Sequence, residues 1–274
     1  MKLLTVLAVL FSLFAAPAFA IMVLSPVSAD VSDGSQISVG AVGPGQTFAV
    51  SVDPRVAIGG KYGIGGAYDK LFASSLPDGW VSTPSPLYGS PLQAYITVPK
   101  DAADGEYEVG LSLWDEAGEE GLGGNITFMV NVTVSHDVMG MEVSPSSLSV
   151  GAGQPARYTI TVVNKGIAND IFTIGSSGVR DWEFSRVVYI QSGTSKTLTY
   201  EIAGDDEADY RVQIWSRSSS SDAIYAQRNV TLRVNTDLFS DYRAVNHGVL
   251  LFPLPEAPLF FMTGLLSNLL PAQA

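Results

Sequence analysis

Three Asn-x-Thr tripeptides, beginning at Asn125, Asn131 and Asn229, are the positions where this sequence most directly invites chemistry. An oligosaccharyltransferase joins a sugar to the amide nitrogen of such an Asn when the side chain is accessible. Apolar residues alternate with each of the three, so a strand would turn all of them outward, as glycosylation sites require. Carboxylates come next. Asp115, Glu116, Glu119 and Glu120 share one Gly-rich loop, and Asp205, Asp206, Glu207 and Asp209 share another. Calcium takes several hard oxygens from such loops, but neither has an EF-hand spacing. A solvated acidic turn is the simpler account of both, and no other cofactor or metal is implied.

Aromatic residues supply the remaining binding candidates. Trp114 and Trp215 fall on the outward parity at the ends of two strand-like runs, where a ring can stack on a sugar, anchor a partner or cover a neighbouring domain. Tyr62 and Tyr68 lie among glycines in a connection with the character of a recognition loop or a mobile insertion. Catalytic groupings are poorly represented. His136 and His247 are the only histidines, both outside the strand-like runs, and no nucleophile elbow, zincin or phosphate-loop motif occurs. A carboxylate pair on a sheet face can in principle cleave glycosides, but the sequence singles none out.

The elements that must position these residues are strands. From Tyr107, the apolar residues Val109, Leu111 and Leu113 fall on every second position, and from Tyr210 so do Val212 and Ile214. That period marks half-buried strands. The same order of anchors recurs down the chain. Gly45-Gln46 matches Gly153-Gln154, Trp80 matches Trp182, Tyr107 matches Tyr210, and the Asn125 tripeptide matches that at Asn229. Offsets of 102 to 108 residues, in one order, indicate an internal duplication. Short alternating strands between Gly, Pro, Asp and Ser turns predict an all-β protein of two tandem sandwiches. Trp80 and Trp182 are expected to plug the two cores. The connection from Asp53 to Gly79 reads as a long Gly-rich loop, and Ser216 to Ser221 as a Ser-rich one.

Met1-Lys2, an apolar run from Leu3 to Ala16 and the Ala18-Phe19-Ala20 site make a secretory leader. The expected organisation is a leader over 1–20, a first sandwich over 21–135, a linker over 136–140 and a second sandwich over 141–235. A linker and apolar tail follow over 236–274. Cysteine is absent, which excludes a disulfide framework. The 15 Lys and Arg against 27 Asp and Glu disfavour nucleic-acid partners, which require a basic face. In the tail, Pro258 opens a helical pattern whose Leu259, Met262, Leu265, Leu266, Leu269 and Leu270 form one stripe. Twelve residues reach about 18 Å, short of a ~30 Å hydrocarbon core. Residues 258–270 therefore suit a membrane surface, an envelope partner or the protein's own second sandwich.

The polar turn leading into Tyr107 and Tyr210 resembles the tyrosine corner of immunoglobulin-like folds. Val109 and Val212 stand where the disulfide-bearing branch has a Cys. The run Gly151-Ala152-Gly153-Gln154, then Tyr158 to Gly166, then Asp181-Trp182 is similar to microbial cell-surface Ig-like modules of the CARDB-like and α-galactosidase-associated type. The likeness spans 141–235 and more weakly 21–135, where Val52-Asp53-Pro54 replaces Asn164-Lys165-Gly166. It implies tandem immunoglobulin-like sandwiches, structural Tyr107, Tyr210, Trp80 and Trp182, and an archaeal or bacterial exported protein. The expected function is non-catalytic: a secreted or cell-surface protein with a structural or adhesive role, held by its tail. The alternative is a carbohydrate-binding accessory module using Trp114, Trp215, Tyr62 or Tyr68.

Overall fold

The computed structural model describes residues 20–235 except 119 and 123. Residues 1–19 of the leader expected over 1–20, His247 and the expected helical tail lie outside the described residues. The first half contains β1 (Ile21–Ser25), β2 (Ala29–Val31), β3 (Gln36–Val42), β4 (Thr47–Val52), β5 (Arg55–Val56), β6 (Gly66–Ala67), β7 (Lys70–Ser75), β8 (Val81–Thr83), β9 (Leu92–Thr97), β10 (Gly105–Trp114) and β11 (Ile126–Val134). The second contains β12 (Met139–Ser144), β13 (Ser147–Val150), β14 (Pro155–Asn164), β15 (Asp170–Ser177), β16 (Ser185–Ile190), β17 (Ser195–Ala203), β18 (Asp209–Ser218) and β19 (Tyr225–Val234).

Sheets of order β2-β1-β4-β9-β8 and β3-β11-β10-β7 face each other in the first half, with a small β5-β6 ribbon beside them. Sheets β12-β14-β17 and β13-β19-β18-β15-β16 do so in the second. Pairing is antiparallel except for β3 with β11 and β13 with β19. In both halves the opening stretch is thus shared, β1 or β12 joining one sheet and β3 or β13 lying parallel to the last strand of the other. The protein is all-β, with two sandwiches of related topology that differ in an edge strand, β8 pairing with β9 but β16 with β15.

The expected alternation is what fills the two cores. In β11, Ile126, Phe128, Val130, Val132 and Val134 are buried and the residues between them half-buried. In β14, Ala156, Tyr158, Ile160 and Val162 are buried while Arg157 and Thr159 are exposed. At ~25 cal/mol per Å² of apolar surface, such rows supply the main driving force in a chain without disulfides. Both tyrosine corners form. Tyr107 Oη donates to Ala103 O at 3.0 Å, and Tyr210 Oη donates to Asp206 O at 3.1 Å. Each ring leans on its tryptophan, with centroids 5.4 Å apart for Trp80 and Tyr107 and 4.7 Å for Trp182 and Tyr210. Trp80 is buried as a plug, whereas Trp182 is half-buried at the rim of its core.

Three local expectations change. The stretch from Asp53 to Gly79 holds β5, β6 and β7, and β7 pairs with β10 in the core sheet. Its Lys70-Leu71-Phe72-Ala73-Ser74-Ser75 sequence alternates too weakly to declare a strand. The linker expected at 136–140 is largely absorbed, since Val138 is fully buried and β12 begins at Met139. Ser216 and Ser218 belong to β18, buried rather than looped out.

Candidate functional site

The most elaborate constellation lies where the two sandwiches meet, and it starts from a turn. Gly43-Pro44-Gly45-Gln46 joins β3 to β4, and Gln46 Oε1 accepts the Gly43 N–H at 2.7 Å. That bond fixes the Gln46 amide so that Nε2 points out of its own domain. Nε2 donates to Asp170 Oδ2 at 2.7 Å, at the first residue of β15. Asp170 is only 3% exposed. The Ser218 hydroxyl also donates to Oδ2, at 2.6 Å, while Oδ1 accepts from the Ser220 hydroxyl at 2.8 Å and the Ile171 N–H at 2.7 Å. Four donors occupy the two oxygens, and this satisfaction makes a buried carboxylate tolerable without a cation.

Apolar groups close around the carboxylate. A Cβ on Gly43 would lie 2.5 Å from Ile224 Cδ1 and 2.8 Å from Val138 Cγ2, and one on Gly45 would lie 2.6 Å from the Ser220 carbonyl oxygen. Glycine at these two places lets the turn press against the second sandwich. Ala168 packs into the first core and Ala41 against the second. The Ile167 N–H donates to Ala41 O at 2.8 Å. The loop carrying Ile167 and Ala168 is shaped by Asn164, fully buried at the end of β14. Its Nδ2 donates to Ala168 O at 2.8 Å and Ile190 O at 3.2 Å, and its Oδ1 accepts the Gly166 N–H at 3.1 Å. The Asn-Lys-Gly turn of the sequence is therefore the scaffold of the joint.

The opposite end of the first sandwich presents side chains to solvent. Tyr62 is 77% exposed, Ile64 81% and Ile58 61%. Their loop is tied down, with Lys61 N donating to Glu120 O and Gly65 N to Gly59 O, each at 2.8 Å. Tyr68 is a correction. It is 2% exposed, its hydroxyl donates to Gly124 O at 3.2 Å, and burial raises its phenol pKa. Starting the next strand pairing drew it into the core, so it is not available as a ligand-binding ring.

The acidic loop also turns inward. Asp115 is buried, and its oxygens accept from Glu120 N and Leu122 N, both at 3.4 Å. Asp69 accepts Glu116 N at 2.7 Å. Those carboxylates close the loop instead of opening toward a cation, and the described residues contain no group of three or more His, Asp or Glu disposed to hold a metal. In the second acidic turn, Asp209 pairs with Arg233 at 2.9 Å. His136 is engaged by the Asp104 carboxylate at the surface.

Trp114 and Trp215 are both half-buried rather than free-standing. Trp215 lies against the outer face of its sheet, where a Cβ on Gly175 would come within 2.5 Å of its Cζ2. The sequons differ among themselves. Asn125 is exposed just before β11, and Asn131 is half-buried in β11, its Oδ1 accepting from Gln36 Nε2 at 3.0 Å. Asn229 is exposed on β19 opposite Gln213.

Sequence reasoning missed the joint. Gly45-Gln46 stood out only as a repeated pair, and nothing marked Asp170 or the serines as its partners. The usable signal was alternation within the serine run, which sets Ser216 and Ser218 on one parity.

No protein-family model matches the chain, and no curated protein sequence matches it. Among solved structures, it is similar to a chimeric titin Z1Z2 functionalised with an exogenous decorin peptide. The identity is 15%, with 81% of this chain and all of that one covered and a TM-score of 0.34. It is also similar to the PapD-like domain 7 of human CEP192, with 8% identity, 35% of this chain and 86% of that one covered and a TM-score of 0.26. A β-glucosidase from Listeria innocua aligns over 35% of this chain and 16% of its own length, at 16% identity and a TM-score of 0.24.

Proposed function

We propose that the chain is an exported, non-catalytic protein of the cell surface or envelope, in which the two sandwiches act as one stiff spacer or adhesive rod. The observation that carries this reading is the Gln46–Asp170 joint. A flexible tether would serve two independent modules, whereas a fully satisfied carboxylate buried between domains transmits orientation and force. The leader-like N-terminus and the Ig-like module signature around Asn164 support export from an archaeal or bacterial cell. The apolar stripe of residues 258–270 supports attachment to a membrane or envelope partner. Flotation of the mature protein on liposomes, full length against a version ending at Val234, tests the attachment. Floating of the full-length protein alone is expected. A mature protein found free and monomeric in the medium would sink the reading.

The second reading is a carbohydrate-binding accessory module. It is favoured by the single observation that Tyr62 is held open on a loop whose backbone is tied down. Binding to a glycan array that survives Tyr62→Ala and Trp215→Ala would remove these residues from that role.

A further inference from the structure

Strand β18 extends from Asp209 to Ser218, but β15 pairs with it only as far as Ser177 opposite Gln213. There the chain turns away at Gly178, whose φ of +109° and close approach to Arg211 O, 2.9 Å from a would-be Cβ, both call for glycine. The departure leaves an open depression of about 550 Å³ whose lining includes the polar residues Ser177, Arg211, Gln213, Asn229 and Thr231 beside Gly178 and two valines of the paired strands. All three residues of one sequon, 229–231, are among the lining. Pairing places Gln213 opposite Asn229 and Arg211 opposite Thr231.

We propose that this depression is the seat of a glycan N-linked to Asn229. In the linking step, Asn229 Nδ2 forms a bond to C1 of an oligosaccharide activated on a polyisoprenyl phosphate or pyrophosphate. The C1–O bond to the carrier breaks, the carrier leaves as its phosphate, and the amide proton passes to a base of the membrane oligosaccharyltransferase. The first sugar then rests in the depression. Its hydroxyls and acetamido group meet the guanidinium of Arg211, the amide of Gln213 and the hydroxyls of Ser177 and Thr231, a mixed donor and acceptor set suited to a sugar. Trp215 lies two residues along β18 from Gln213, on the same face of the sheet. Asn131 has no comparable setting, because Gln36 already occupies its amide oxygen in the middle of a sheet.

This inference rests on the export proposed above, since transfer takes place beyond a membrane. The test therefore secretes the chain from residue 21 behind a yeast leader, with the host's high-mannose glycan as the probe. Peptide mass mapping reads occupancy at the three Asn residues. An endoglycosidase then trims the glycan to one N-acetylglucosamine. The trimmed protein is expected to melt roughly 2–4 °C above Asn229→Gln. It should also show nuclear Overhauser contacts from the acetyl methyl to Gln213 and Thr231 side chains. Arg211→Ala with Gln213→Ala should abolish both the gain and the contacts while leaving Asn229 occupied. An unmodified Asn229, or a sugar with neither contacts nor gain in melting temperature, overturns the proposal. Failure of the chain's own leader to direct export in a separate swap would count against export and leave the seat standing.

Discussion

Gln46 Nε2 donates to Asp170 Oδ2 at 2.7 Å across the boundary between the two sandwiches, with both side chains buried. The bond is one of four to that carboxylate, and the other three come from the second sandwich itself. Truncating each partner therefore has a different consequence. Asp170→Ala strands the buried Gln46 and Ser218 donors and the half-buried Ser220, and should cost roughly 3–5 kcal/mol. Gln46→Ala removes the only side-chain link, among the described residues, from the first sandwich to the carboxylate, at about 1–3 kcal/mol. Calorimetry should resolve two transitions in Gln46→Ala where the parent shows one, and small-angle scattering should show a broader distribution of domain separations. A single unshifted transition in Gln46→Ala would mean that the joint does not couple the domains.

What the sequence disclosed follows from the range of the interactions. Alternation in β10, β11, β14 and β18 is local, so the rows of Val, Leu and Ile announced strands and their buried faces. The tyrosine corners are equally local, each closing over four residues from Tyr107 or Tyr210. The joint is not local. Asp170 lies 124 residues from Gln46, and its burial depends on two glycines whose only mark is the absence of a side chain. Tyr68 failed for a related reason. Among glycines it resembled a loop residue, and only the pairing of β7 with β10 shows that it must turn inward.

The two corners give a symmetric test. Tyr107→Phe and Tyr210→Phe each delete one hydroxyl bond of nearly the same length to the carbonyl four residues earlier. Each should cost about 1 kcal/mol by urea denaturation, with the m-value unchanged. Tyr62→Phe, on the exposed loop, should cost nothing measurable. A much larger loss at Tyr210 would show that its contact with Trp182, not the hydroxyl, dominates that corner.

Gly175 sets the position of Trp215. A methyl group there would have to displace the indole, since its Cβ would sit 2.5 Å from Cζ2 and 2.7 Å from the Phe184 carbonyl oxygen. Gly175→Ala should destabilise the protein by about 1–3 kcal/mol. It should also shift tryptophan emission to the red as the ring is lifted into water. The emission of Gly175→Ala combined with Trp215→Phe should match that of Trp215→Phe alone, which isolates the ring responsible.

Asn164 should be hard to replace as well. Its amide satisfies two carbonyls and one N–H in a fully buried turn. Asn164→Asp keeps the acceptor for Gly166 N but sets a carboxylate oxygen against the Ala168 and Ile190 carbonyls. Both Asn164→Asp and Asn164→Ala should lose roughly 2–4 kcal/mol. Hydrogen exchange should quicken at the Ile167 amide, which bonds across the joint, before it does in β18. Exchange that rises uniformly instead would show that the turn has no separate part in holding the domains.

Alkaline pH should unfold the protein through its buried phenols. Burial, aided by neighbouring Tyr200, pushes Tyr158 up to about 12 from the ordinary value near 10, and burial also raises Tyr200 and Tyr68. The folded state holds its proton more tightly than the unfolded chain does. The phenols' contribution to stability is therefore fully present and independent of pH below about pH 10, and it is lost as pH rises from there through about 12. Each phenol that stays protonated while its unfolded counterpart ionises removes about 1.4 kcal/mol per pH unit. Tyr158 bonds through its hydroxyl to Thr231 O at 2.9 Å, linking the two sheets of its sandwich. Tyr158→Phe should flatten the decline between pH 10 and 12 while costing stability at neutral pH. Phenolate absorbance that appears well before the loss of β-sheet circular dichroism, with the full complement of tyrosines ionised, would show that these rings titrate in the folded state and that the alkaline limit lies elsewhere.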